Sequence, residues 1–199
     1  MDPRYLRSRE ALRKTVYEMA SARTITEISV AELCRAAGVT RDTFYRHASS
    51  PTNLLSDLLV EDIEAVTKDF RLREDDDLPI RGFAAAERSL LGHVATHAAV
   101  YRTAMQPHLI APLRDNLERI IRTVLEEHLL EHPEVRPQGI DANDAAASRL
   151  LASYASSGTV GAIESWLSES QSELDIDRGV RLILAASPQF WFESPGSPS

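Results

Sequence analysis

Cysteine is nearly absent: Cys34 is the only one in 199 residues, so neither an intrachain disulfide nor a cysteine metal cage can form. With Leu33 and Ala37 beside it, Cys34 reads as a small core residue rather than a reactive thiol. Long apolar runs are also missing. No stretch approaches the roughly 18 uncharged residues needed to span a bilayer. The opening Met1, Asp2, Pro3 and Arg4 lack the apolar run of a secretory leader. No membrane association is expected, and the location expected is cytoplasmic. The eight glycines are scattered, which excludes a glycine-rich phosphate loop, and there is no nucleophile elbow. Catalysis is therefore not expected, and no cofactor is called for. No segment sustains period-two alternation, so strands are not expected either. What remains, with 43% hydrophobic residues, is a folded all-α chain.

The net charge of −8, taken whole, argues against a polyphosphate partner, but it is unevenly placed. Residues 1–50 hold nine Lys and Arg against six Asp and Glu, a local +3, and residues 51–199 hold thirteen against twenty-four, or −11. An acidic body repels DNA and leaves a small basic head to make contact, which limits nonspecific adhesion.

The head has its own punctuation. Leu12, Val16, Met19 and Ala20 form one apolar stripe on a first helix over about Ser8–Ala22, with Arg9, Arg13 and Lys14 off that stripe. Ser29 with Glu32 three residues on is a capping box opening a second helix over Val30–Ala37. Gly38 supplies the left-handed turn, Thr40 the next cap, and Arg41–His47 a third helix of under two turns. Two short helices joined this way form a helix-turn-helix, whose second helix can enter a major groove about 12 Å wide. Thr40, Arg41, Asp42 and Thr43 would then meet base edges: arginine donates twice to guanine, threonine offers a methyl to thymine and a hydroxyl, and aspartate accepts from cytosine or orients Arg41. Tyr45, Arg46 and His47 at the far end, with Ser29 and Thr52 at the neighbouring helix starts, suit phosphate oxygens.

From Val30 to Leu55, with AELCRAAGVTRDTFYRH at its centre, the chain resembles the N-terminal domain of TetR-type repressors. Gly38, Val39, Thr40, Thr43, Phe44, Tyr45 and His47 meet the recognition-helix pattern of that family. The resemblance is specific over about residues 8–60. It implies a three-helix DNA-binding head, a helical ligand-binding and dimerisation body, and release of the operator when a small molecule binds. Two positions depart from it. Ala48 stands where the family has phenylalanine, and Pro51 where it has a lysine at the start of the fourth helix. Pro51 fits a first helical turn capped by Ser49 or Ser50, since its missing amide has no partner there in any case.

The domains expected are residues 1–50 as DNA-binding head, 51–187 as ligand-binding and dimerisation body, and 188–199 as a flexible tail, with Phe190, Trp191 and Phe192 able to fasten part of it. A helix from Thr52 toward Arg73 joins the first two and would act as a lever. The acidic run Glu74, Asp75, Asp76 and Asp77 reads as a solvated loop, and further helices are expected over Ile80–Met105, Pro107–His132, Asp141–Ser168 and Ser172–Ala186. Phe83, Leu90, His93, Val94, His97, Tyr101, Met105, Leu117, Ile121, Leu125 and Tyr154 are the candidates for lining an effector cavity, with plain core as the alternative for each. The small-residue surface of Ala152, Ala155, Ser156, Thr159, Gly161 and Ala162, with Ile163 and Trp166, and the stripe Val180, Ile183 and Leu184 are the expected homodimer interface. Two subunits would form a four-helix bundle and read a near-palindromic site. His93 with His97 and His128 with His132 have the spacing for a shared metal. Each lacks further ligands and the glutamate of zinc-enzyme helices, so no metal is expected.

The function expected is thus a dimeric DNA-binding repressor released by a small molecule. The alternative is a helical protein-binding adaptor whose head no longer binds DNA, which Pro51 and the acidic balance favour. Pro51 removes a cation and a backbone donor from a helix terminus suited to phosphate. Pro51→Lys is expected to raise DNA affinity and steepen its salt dependence, by a slope of about one, as read by titrations at two salt concentrations. An unchanged slope would rule out this role for Pro51.

Overall fold

A capped start launches the first helix five residues earlier than its apolar stripe predicts. In the computed structural model, which describes residues 2–71, 79–137, 139–141, 144–169 and 174–192, Asp2 Oδ1 accepts the Arg4 amide at 2.8 Å, and Pro3 opens α1 (Pro3–Ala22). Leu12, Val16 and Ala20 are buried as the stripe requires. After a short 3₁₀ turn (Ile25–Glu27) come α2 (Val30–Ala37) and α3 (Arg41–Tyr45). The Ser29 capping box is formed at both ends. Gly38 adopts φ 66°, and its amide and that of Val39 both reach the Cys34 carbonyl, closing α2. Phe44 is fully buried and anchors α3, which is too short to persist without such packing.

Helix α4 (Pro51–Arg71) starts as expected: Ser50 Oγ accepts the Asn53 amide at 3.1 Å, and Pro51 takes the first helical position. The acidic run 74–77 lies outside the described residues. The helix expected over residues 80–105 is two helices, α5 (Pro79–Thr96) and α6 (Ala98–Thr103), broken at His97. No glycine or proline announces that break. His97 departs from helical geometry where its ring stacks on Tyr17, with centroids 4.7 Å apart. Helix α7 (Ala111–Glu131) starts one residue before Pro112. Helix α8 (Ala145–Glu169) and α9 (Ile176–Ala186) complete the chain, α9 capped by Asp175, followed by a 3₁₀ turn over Gln189–Phe192. No strand occurs among the described residues.

These helices sort into two units, which divide the chain differently from the expected boundary at residue 50. The first is Met1–Asp62 with Thr96–Arg114; the second is Ile63–Ala95 with Asp115–Ser199. The reason for the difference is α6. Thr103 Oγ1 donates to the Ala20 carbonyl at 2.5 Å and Thr24 Oγ1 to the Thr103 carbonyl at 3.1 Å, so α6 is held on the end of α1. In the second unit, Gly179 on α9 allows close approach: a Cβ there would lie 2.8 Å from Leu91 Cδ1 and 3.2 Å from Trp166 Nε1. Of the tail expected over 188–199, the described part, 188–192, is fastened through its aromatic residues, and 193–199 lie outside the described residues. Trp191 is buried with Leu125, Leu129, Val135 and Ala152, because its indole offers more apolar surface than this small core can leave exposed.

Gly38 has open space around the position of a Cβ, so only its backbone conformation demands glycine. Gly38→Ala is expected to cost about 1–2 kcal/mol in urea unfolding, and Gly38→Asn less.

Candidate nucleic-acid interface

The first turn of α3 presents its polar groups outward because Phe44 fixes which face is buried. Thr40, Arg41 and Asp42 are exposed and Thr43 is half-exposed. Thr40 Oγ1 accepts the Thr43 amide at 3.1 Å and lies 2.9 Å from Thr43 Oγ1, to which Arg46 donates at 3.2 Å. The two threonine hydroxyls share a single hydrogen bond, so one hydroxyl proton stays available to a base edge. Arg46 is held along the helix by the same network. Tyr45 is 58% exposed and presents its phenol beyond it.

Two of the expected phosphate contacts are placed otherwise. His47 turns inward: its Nε2 is 2.8 Å from Ser8 Oγ, and its ring lies 4.2 Å from that of Tyr5. Because the Ser8 hydroxyl donates to the Tyr5 carbonyl at 2.9 Å, the proton between Ser8 and His47 belongs to the imidazole. Burial, then Arg9 and Arg46, push the His47 pKa down, so the ring is neutral at neutral pH and ties α1 to the end of α3. Ser29 is committed to its cap. It donates to Glu32 Oε2 at 2.8 Å and accepts the Glu32 amide at 3.2 Å, so its hydroxyl is held beside a carboxylate. Hydrogen bonds from the Ser29 amide and hydroxyl, and then from Arg23, hold that carboxyl at a pKa of about 2. Thr52 is half-buried in the first turn of α4, where Asn53 Nδ2 donates to Ser49 Oγ at 2.6 Å.

Positive charge in this unit is also partly spent inside it. Arg9 pairs with Glu61, and Arg13 with Glu61 at 3.2 Å and Asp62 at 2.6 Å. Among the described residues no carboxylate pairs with Arg4, Arg7, Arg35, Arg41 or Arg46, and these are exposed. Cys34 is buried with its thiol pKa raised by that burial, the structural role expected of it.

The second unit contains a cavity of ≈100 Å³. Phe83, Leu90, Leu117, Ile121 and Leu125 line it, as the sequence suggests. The other six candidates do not. His93 and Val94 are buried but not at its wall, and Tyr154 is 73% exposed. His97, Tyr101 and Met105 belong to the first unit, because the break at His97 sends them there with α6. Ala155, Thr159, Ile183 and Leu184, expected at a dimer interface, line the cavity instead. Ile163, Trp166, Val180 and Ile183 are no more than 8% exposed, and Ala152 and Ser156 no more than 1%. Ala152, Ser156 and these four bulkier side chains therefore lie in the protomer's own core, whereas Ala155, Thr159 and Gly161 are half-buried. Ala162 is half-buried. The exposed apolar side chains of these helices are Leu150 and Tyr154, one turn apart on α8, and Leu182 on α9. Sequence reasoning also missed Glu87, Trp191 and Phe192 at the cavity wall. A glutamate beside an arginine on an amphipathic helix carries no signal of burial.

No family model and no curated protein matches the chain. Solved structures do. Fatty acid degradation regulator FadR from Bacillus halodurans has a TM-score of 0.62 at 16% identity, covering 94% of this chain and 97% of that one. The dihydroxyacetone kinase operon activator DhaS gives 0.55 at 16%, covering 94% and 98%. A TetR-like transcriptional regulator from Rhodococcus sp. RHA1 gives 0.52 at 21%, covering 94% and 100%. The fold is that of TetR-type regulators: all-α, with a helix-turn-helix head and a helical body. No helix among the described residues is long and apolar enough to cross a membrane.

Glu32 has a folded pKa depressed below its ordinary 4.5, so its contribution to stability is present above that value and is lost as pH falls toward about 2. The urea midpoint of the native protein should exceed that of Glu32→Gln at about pH 6, and the gap should narrow by about pH 3. A gap independent of pH would remove the ionised cap from the account.

Proposed function

We propose that the chain is a sequence-specific DNA-binding repressor, active as a homodimer and released from a near-palindromic site when a small molecule occupies the second unit. The observation that carries this reading is the first turn of α3, where Thr40, Arg41 and Thr43 stand exposed on a helix whose other face is locked by Phe44. Arg41 donates to a guanine edge, and the threonines supply a methyl and a free hydroxyl proton. Tyr45 and Arg46 bind flanking phosphates. Arg4, Arg7 and Arg35 add the electrostatic attraction that an acidic protein otherwise lacks. His47 and Ser29 serve as framework for the contacting residues.

A head of this size reads few base pairs, and two on a two-fold axis double the contacts and fix the spacing of half-sites near one helical turn. The large apolar side chains exposed to a second copy are Leu150 and Tyr154 of α8 and Leu182 of α9, while Ala152 and Ser156 of the small-residue stripe are buried. Communication follows the covalent chain. On α4, Ile63 lines the cavity and the preceding Asp62 holds Arg13 and Tyr17 of α1, so a ligand that shifts this stretch of helix acts on the head's support. The similar structures are named regulators of fatty acid degradation and of a kinase operon, and they support a regulatory role.

Selection of bound fragments from random DNA tests the proposal. A palindrome with half-sites about 10 base pairs apart is expected. Arg41→Ala should relax preference at one position per half-site, costing about 1–3 kcal/mol there. Recovery of no preferred sequence would favour a protein-binding adaptor.

A further inference from the structure

Among the described residues, seventeen line the cavity of the second unit, and Glu87 is the one ionisable side chain of these. Its Oε1 is shut off from solvent and has no hydrogen-bond partner. Its neighbour Arg88 is turned to Asp177 and is more than half-exposed, so it gives no help. The other polar walls are Thr159 and Ser187, and the Ser187 hydroxyl is used by the Ile183 carbonyl at 2.9 Å. The rest of the cavity wall among the described residues is aliphatic side chains and the rings of Phe83, Trp191 and Phe192. Burial alone pushes its pKa up to about 7.

A carboxyl in such surroundings costs stability, and an apolar residue of similar size would pack better. The missing component is a donor brought from outside. A ligand ammonium supplies up to three donors and the opposite charge, and its flanks can rest on aromatic faces. A hydroxyl supplies one donor without charge. A carboxylate supplies none and is repelled.

We propose that this cavity accepts a small amphiphilic amine, its apolar body among Leu90, Ile121 and Leu125 and its ammonium paired with Glu87. The assignment rests on the reading of the cavity as the effector site and adds the chemical class of the effector. It disfavours carboxylate ligands, whose head group would meet Glu87 with like charge.

Three probes with one six-carbon body test it by calorimetric titration of the intact protein: hexylamine, hexanol and hexanoate. At about pH 8 the amine is still a cation and Glu87 is ionised. Hexylamine is expected to bind about tenfold or more tightly than hexanol, with hexanoate weakest. In Glu87→Gln, amine and alcohol should come within about twofold of each other, and the hexanoate deficit should shrink. Removal of the buried charge keeps the urea midpoint at or above the native value, so lost preference is not lost folding. Hexanoate binding as tightly as hexanol, or an amine preference that survives Glu87→Gln, overturns the head-group assignment while leaving a ligand site. Binding of none of the three overturns the site itself. DNA does not enter the measurement, so failure of operator recognition is scored separately.

Discussion

The Asp62 carboxylate is the point on which the first unit turns. It accepts Arg13 Nη1 from α1 at 2.6 Å on one oxygen and the Tyr17 hydroxyl at 2.6 Å on the other, with His97 Nε2 4.0 Å away. Arginine and tyrosine one turn apart on α1 are thereby fixed against α4, and the start of α6 is placed beside them. Arg13 and Asp62 are about a quarter exposed, which leaves the charges attractive without the full penalty of burial. Hydrogen bonds to a charged partner are worth about 1.5–3 kcal/mol each. Such a contribution matters in a unit where α2 and α3 have eight and five residues. Burial, and then the bond to Asp62, push the Tyr17 pKa upward, so the hydroxyl remains a donor over the whole working range of pH.

That clamp also explains why α1 is amphipathic in two senses. Leu12, Val16 and Ala20 go to the core, while Arg9 and Arg13, off the stripe, reach Glu61 and Asp62. The nominal +3 of residues 1–50 overstates what DNA would meet, because two of its cations are neutralised from α4. What is left is concentrated on Arg41 and Arg46, with Arg4, Arg7 and Arg35. On the proposed reading, a head so supplied would attract DNA modestly and depend on geometry for discrimination.

The head was legible because each of its signals is local. Ser29 and Glu32 cap within three residues, Gly38 needs only its own φ, and Thr40 caps Thr43; none depends on a distant partner. Pro51 was legible for the same reason. His47 was not, because a motif position says nothing of which way a ring turns, and Ser8, thirty-nine residues earlier, captures it. The break at His97 was hidden likewise, since its partner Tyr17 lies on α1. In the body, periodicity identified the helices but not their inner faces. Helix α8 carries small side chains on most sides, and a stripe of alanine and serine serves a protomer core as well as a partner. Ala152 and Ser156 go to the core, Ala155, Thr159, Gly161 and Ala162 are half-buried, and Leu150 and Tyr154 stand exposed.

The same asymmetry bears on how a signal would travel. Asp62 and Ile63 are consecutive on α4, one gripping α1 and the other touching the cavity, so their side chains point about 100° apart around one helix. A ligand that displaced the backbone at Ile63 would move the backbone that also carries Asp62. Hydrogen bonds of 2.6 Å have little tolerance for such movement, whereas apolar contacts slide. Under the proposed control by a ligand, the charged clamp is where a shift of α4 beside the cavity would be felt by α1. A salt bridge that merely stabilised the head could sit anywhere on α1; this one sits beside the cavity wall in sequence, where packing and charge must change together.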